Sequence, residues 1–256
     1  MTDSIVDEIT WEIKGNNLYK NALMLLDFIA TNNWERPIYF TSFSDMSKVL
    51  GIDKYLHMEG LSYRFIPVEA EDYYRGIGGV YREGSYDLLV NKAKGGNMNQ
   101  PDVVPDRESV RNTTFARQSY VRLAQSLANH HQYDSAVVVM DKYQEFFPNE
   151  KFPFETSLYQ FPEIYYKSGA FEKGDAFMNT LVKNWTDKIV YYGNMKPKFR
   201  EHYAEDIDEG MQIINEMMRI AERYDRKEIA DEIGPTFDAL YNQYYVIQSE
   251  AKDPLP

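Results

Sequence analysis

Apolar and polar positions alternate in two different rhythms along the chain, and the change of rhythm divides it. Near the start Ile9, Trp11 and Ile13 alternate with Glu8, Thr10 and Glu12, the period of a half-buried strand. Leu18, Ala22, Leu25 and Ile29 then recur at helical spacing, with Asn32-Asn33 as the expected helix end. Pro37–Thr41 is short, apolar and β-prone, with Pro at the first position, where a strand tolerates it. Ser44 is placed to cap a short helix carrying Met46, Val49 and Leu50, and Leu61–Val68 reads as a further strand. Strand, helix, strand, helix, strand predicts a small βαβαβ unit with a parallel sheet over residues 1–70.

Residues 71–112 show weak periodicity and many breakers, among them Gly76, Gly78, Gly79, Gly84, Gly95, Gly96, Pro101 and Pro105. They read as a connecting segment packed on both flanking parts, with one helix over Tyr86–Ala93. From Thr113 to the end the period is helical. The stripes are Ala116-Tyr120-Leu123-Leu127, Ala136-Met140-Tyr143-Phe147, Leu158-Phe161-Tyr165 and Gly174-Met178-Leu181-Trp185. Tyr203-Ile207-Met211-Ile214-Met218 and Phe237-Leu240-Tyr244-Ile247 follow, with a break or kink expected at Gly234-Pro235, near Ile233. Aligning Ala136 with Gly174 superposes Tyr133 on Phe171 and His131 on Gly169. A helix, a short turn and a second helix with a small residue at the crossing is tetratricopeptide logic. The expected class is therefore α+β followed by all-α: the βαβαβ unit, then an antiparallel tetratricopeptide-like array over 113–256. Two clear units and a terminal helix pair make up that array.

Composition narrows the functions. The 256 residues carry 40 acidic against 28 basic side chains, a net charge of −12, which argues against nucleic acid and anionic lipid as partners. The absence of Cys excludes disulfides, thiolate nucleophiles and cysteine metal sites. Ala22–Ala30, the longest apolar run near the start, contains Asp27 and is far short of the roughly 20 residues of a membrane span. The acidic first 14 residues do not resemble a signal peptide, so the expectation is a cytosolic protein or a soluble piece of a larger one.

No motif of known chemistry stands in the chain, so no cofactor or metal is expected. His130 and His131 are adjacent and point about 100° apart on a helix, unlike a chelating i, i+4 pair. Asp206-Ile207-Asp208 has the form of a metal-binding Asp-x-Asp, but Ile207 belongs to an apolar stripe and the aspartates flank it on a solvated face. Gly76-Ile77-Gly78-Gly79 lacks the third glycine of a dinucleotide loop. The richest polar-aromatic run is Asn32–Pro37. Trp34, Glu35 and Arg36 there can bind a sugar or peptide by stacking and bidentate hydrogen bonds, or simply cap a helix and cover the core edge. A parallel sheet binds ligands beyond its carboxyl ends, which favours Thr41, Ser42, Ser44 and Asp45 for a small-molecule site, with helix capping by Ser44 as the simpler account. Tyr120, Tyr159, Tyr165 and Tyr166 are candidates for a concave helical face, or for core-edge packing with wet hydroxyls.

Three runs carry a resemblance: Leu18–Phe40 (LYKNALMLLDFIATNNWERPIYF), Tyr55–Val68 (YLHMEGLSYRFIPV) and Gly96–Asn99 (GNMN). Together they resemble the soluble C-terminal region of a family of large bacterial multi-pass membrane proteins of unknown function. That family is similar to protein O-mannosyltransferases of the polyprenyl-phosphate-sugar type. The resemblance covers most of residues 9–180. It implies a periplasmic accessory domain with tetratricopeptide-like repeats, whose partners are its own membrane domain and a peptide or glycan acceptor. It also implies that the transferase's catalytic residue lies outside this chain, so no catalytic residue is assigned. A small-molecule or sugar-nucleotide enzyme on the α/β part, and a free cytoplasmic tetratricopeptide adaptor, stand as alternatives.

Overall fold

The computed structural model describes residues 8–9, 17–41, 50–71 and 77–246, with side chains to residue 245. It is mainly helical, with one small sheet, and its contacts divide it into two units. The first comprises Met1–Asn97 and Pro105–His130; the second comprises Met98–Val104 and His131–Pro256.

In the first unit, helix α1 (Lys20–Thr31) precedes strand β1 (Ile38–Phe40). Strands β2 (Leu56–Glu59) and β3 (Ser62–Phe65) form a hairpin, and β4 (Gly79–Val80) completes the sheet in the order β1-β3-β2-β4. The expected parallel relation of the Pro37–Thr41 and Leu61–Val68 strands does not appear. They pair antiparallel, Ile38 opposite Phe65 and Phe40 opposite Tyr63, and among the described residues only β2 and β4 run parallel. The reason is an additional strand: Leu56 and Met58 point inward while His57 and Glu59 are half-exposed, and Gly60-Leu61 turns this strand straight back. Gly60 has φ +66°, the conformation that the first central position of a II′ turn reserves for glycine. A two-residue turn allows only antiparallel pairing, which reverses β3 relative to a crossover topology. The expected strand over Ile9–Ile13, beyond its first residue, and the expected Ser44 helix up to Val49 lie outside the described residues.

Helix α2 (Arg82–Tyr86) runs on into a wider helical turn over Asp87–Lys92, starting earlier than the expected Tyr86–Ala93 helix. Buried Ser85 fastens it to the hairpin, donating to the Met58 carbonyl at 2.8 Å and accepting from the Gly60 amide at 3.1 Å. Helix α3 (Arg107–Asn112) is capped by Asp106, whose carboxylate accepts from the Ser109 amide. Helix α4 (Thr114–Asn129) buries Tyr120, Leu123, Ala124 and Leu127, and the sheet buries Leu56, Met58 and Phe65. Arg122 donates to the Tyr63 hydroxyl and the Gly78 carbonyl, both at 2.9 Å. A Cβ at Gly78 would stand 2.2 Å from the Leu56 carbonyl oxygen, so only glycine lets β4 approach β2 here.

The second unit is built from α5 (Tyr133–Phe146), α6 (Phe161–Lys167), α7 (Phe171–Gly193), α8 (Pro197–Arg200), α9 (Ala204–Arg223) and α10 (Lys227–Tyr241). An aromatic cluster of Tyr143, Phe147, Phe152, Phe154, Phe161 and Phe177 fills the space between α5, α6 and α7. Trp185 and Ile189 of α7 cross α9 at Gly210, where a Cβ would meet them at 2.7 and 2.9 Å. Of the two outcomes expected at Gly234-Pro235, a break or a kink, the break is absent: α10 runs through Pro235. Gly234 has no Cβ to collide with the proline ring, which removes the usual objection to a helical residue before proline.

The turn conformation recurs along the helical part. His131 (φ 59°), Gly169 (φ 80°) and Asp225 (φ 56°) are all left-handed, spaced by 38 (169 − 131) and 56 (225 − 169) residues. Gln132, Ala170 and Arg226 follow with nearly equal angles, φ −89°, −85°, −88° and ψ 55°, 58°, 63°. Ala136, Gly174 and Ala230 stand five residues after the left-handed position each time. At Gly174 a Cβ would lie 2.4 Å from the Tyr166 ring, so the small residue admits the tyrosine. The third occurrence falls in the pair read from sequence only as terminal helices.

Candidate functional site

The polar-aromatic run forms a tight turn between α1 and β1. The Glu35 amide donates to the Asn32 carbonyl at 3.0 Å, and the two central residues, Asn33 and Trp34, have φ 47° and 60°. Two positive φ values are the signature of a I′ turn, whose second central position is normally glycine. Here it carries the bulkiest side chain of the twenty. The Asn32 side-chain amide donates to the Arg36 carbonyl at 2.8 Å and closes the turn. The Trp34 indole stacks on Phe65, centroids 5.5 Å apart and planes inclined by 22°, while 50% of the residue stays exposed. Phe65 itself is buried, with Tyr55 edge-on behind it.

A bulky residue in the left-handed region costs about 1–2 kcal/mol. An aromatic pair returns about 0.5–1.5 kcal/mol. The stacking thus roughly offsets the strain, so backbone conformation gives no reason to prefer Trp over Gly. Glu35 and Arg36 follow Trp34 in the chain, both exposed, and neither side chain has a hydrogen-bond or ion-pair partner among the described residues. One turn therefore carries a half-exposed aromatic ring, a carboxylate and a guanidinium, the last two without a partner among the described residues.

The other candidates are placed differently. Thr41 is exposed at the end of β1, whereas Ser42, Ser44 and Asp45 lie outside the described residues. The argument that selected them required a parallel sheet, and β1 is antiparallel to its neighbour, so the carboxyl-end rule has no footing at that edge. Tyr120 is buried and donates to the Leu89 carbonyl at 2.7 Å. Tyr166 is buried against Gly174 with its hydroxyl on Asp175 at 2.8 Å, and Tyr159 is half-buried, accepting from Gln160. Burial and the neighbouring Asp175 push the Tyr166 phenol well above its ordinary value. Tyr120 belongs to the first unit, Tyr159 and Tyr166 to the second.

The structure adds a cleft between α5 and α7 of about 350 Å³, lined by Asp141, Gln144, Lys173, Ala176, Phe177 and Thr180. The buried Tyr165 hydroxyl donates to Asp141 and accepts from Gln144, and Lys173 pairs with Asp141 at 2.6 Å. These groups satisfy one another and offer little to a ligand. The spacing of the lining residues, i and i+3 on α5 and i, i+3, i+4 and i+7 on α7, becomes legible only once the two helices are known to be neighbours. On the outer face of the sheet the Tyr39 hydroxyl donates to Glu59 at 2.7 Å, and His57 is held against the Val68 carbonyl. Burial lowers the His57 pKa below its ordinary value.

Asp206 and Asp208 do not converge: Asp206 pairs with Lys188 at 3.0 Å, Asp208 accepts from Tyr245, and Ile207 between them is buried. His130 meets Arg82 and the Ser126 carbonyl, while His131 turns to Tyr133. Among the described residues no three His, Asp or Glu side chains cluster as metal ligands, and no helix is long and apolar enough to cross a membrane.

Residues 1–89 match the family model described as TMEM260-associated domain 2, so this part of the chain, which contains α1, the Trp34 turn and the whole sheet, is similar to that family. No curated protein and no solved structure matches the chain.

Proposed function

We propose that this chain is a non-catalytic binding and scaffolding domain of a glycosyltransferase-like membrane protein, lying on the extracytoplasmic side. Its first partner is that protein's own membrane domain, and its task is to hold an acceptor peptide or glycan. The observation that carries this reading is the match of residues 1–89 to a domain associated with TMEM260. It falls on the same stretch as the Leu18–Phe40 and Tyr55–Val68 runs that resemble the soluble part of mannosyltransferase-like membrane proteins. The helical part is read as a tetratricopeptide-like array. The three left-handed turns at His131, Gly169 and Asp225, each followed at the same distance by a small residue, support that reading.

Thermal unfolding of the purified chain against Ser/Thr-rich peptides, oligosaccharides and sugar nucleotides tests the proposal. A ligand at 100 times its dissociation constant stabilises by about 2.7 kcal/mol, a readable shift. Stabilisation by peptide or glycan is expected. Release of free nucleotide from a sugar nucleotide overturns the non-catalytic part. Silence across the panel overturns acceptor holding and leaves the membrane domain as the partner.

A further inference from the structure

We propose that the Asn32–Arg36 turn is a carbohydrate-binding loop: Trp34 takes the apolar face of a pyranose ring, and Glu35 and Arg36 bracket its hydroxyls. The inference rests on the binding-domain reading above and names the ligand class and the place. It starts from the mismatch between backbone and side chain. A I′ turn favours glycine at its second central position, and the chain puts a half-exposed tryptophan there. Residues held in sparsely populated backbone regions concentrate at ligand sites. The indole is braced from beneath by Phe65, which sits in the core, so its open face is presented on a rigid support.

The polar groups decide the class. A pyranose offers one face of C–H bonds, which suits an electron-rich ring, and a rim of neighbouring hydroxyls that each donate and accept. A carboxylate supplies two acceptors and a guanidinium a planar fork of donors, the complement of such a rim. Among the described residues neither the Glu35 nor the Arg36 side chain has a partner, so binding breaks no bond found there. The Asp141–Lys173 cleft fails on that point, because its groups are already paired. An apolar helix would leave Glu35 and Arg36 desolvated and unmatched, so a sugar fits the loop better than an apolar segment does.

The test uses the whole chain labelled with ¹⁵N and follows the indole N–H signals of Trp11, Trp34 and Trp185. Methyl glucopyranosides, mannopyranosides and galactopyranosides, with their short oligosaccharides, are the probes, and sorbitol is the acyclic control. The expected result is saturable movement of the Trp34 signal in the millimolar range, with sorbitol silent. Trp34→Leu should abolish binding, and Glu35→Gln or Arg36→Met should each weaken it at least threefold. The two polar variants, at exposed positions, keep the test decisive if the Trp variant folds poorly. An unmoved Trp34 signal, equal movement with sorbitol, or binding undiminished in the Glu35 and Arg36 variants overturns the proposal. If a peptide moves the Trp34 signal while every sugar is silent, the carbohydrate assignment falls and the binding-domain reading stands.

Discussion

At the level of single residues, Trp34 is where sequence and backbone disagree most. Its strain is separable from its stacking by comparing two truncations. Trp34→Ala loses the contact with Phe65 and keeps a side chain at φ 60°, whereas Trp34→Gly loses the same contact and relaxes the backbone. The glycine variant should therefore be the more stable of the two by about 1 kcal/mol. Urea denaturation of both variants measures this, and an alanine variant as stable as the glycine one would show that the turn is not left-handed at this position. The polar-aromatic content of the Asn32–Pro37 run was legible from residue types alone. Its I′ conformation was not, because Asn-Trp carries none of the Asn-Gly chemistry that announces such a turn. The tyrosines show the opposite limit. Helical spacing placed Tyr120 and Tyr166 on faces, but which face each helix buries depends on neighbours that spacing does not reveal.

At the level of elements, the helical stripes were the most legible feature, since each apolar repeat from Ala116 to Leu240 falls on a helix or on a cap or turn bordering one. The sheet was read less well, although the signal was present. Leu56-His57-Met58-Glu59 alternates cleanly and is mirrored across Gly60-Leu61 by Ser62-Tyr63-Arg64-Phe65. With no strand assigned to residues 56–60, the expected order became a crossover where the structure has an antiparallel hairpin. Pro235 illustrates how tertiary structure overrides a local breaker. It is exposed inside α10 and removes one backbone hydrogen bond, and the helix continues because Ile233 and Leu240 on either side are anchored in the core. Pro235→Ala should restore the missing donor and raise stability, by up to about 3 kcal/mol. A shift of the denaturation midpoint at unchanged slope would confirm it. No gain would mean that the helix is already held by its neighbours and that the proline costs nothing in place.

At the scale of the whole molecule, the chain crosses between its two units more than once. Residues 98–104 group with the second unit, although the chain on both sides of them groups with the first. Such a short segment buries little apolar surface of its own, so a specific anchor has to hold it. Lys151 supplies one: its ammonium donates to the Val103 carbonyl at 2.5 Å and also to the Gln100 carbonyl, while the Val103 amide closes a turn onto Gln100 at 3.0 Å. A charged donor bridging two backbone carbonyls is worth more than a neutral bond; without it the Val103 carbonyl loses the ammonium and the Gln100 carbonyl keeps only the Val103 amide. Lys151→Met keeps the aliphatic stem and removes the charge. It should leave the helical core of the second unit intact while releasing residues 98–104. Hydrogen exchange at the Val103 amide is then expected to accelerate at least tenfold, with the amides of α7 and α9 unchanged. Uniform acceleration across α7 and α9 would mean that Lys151 supports the unit as a whole. No acceleration at Val103 would mean that the turn holds itself without the lysine.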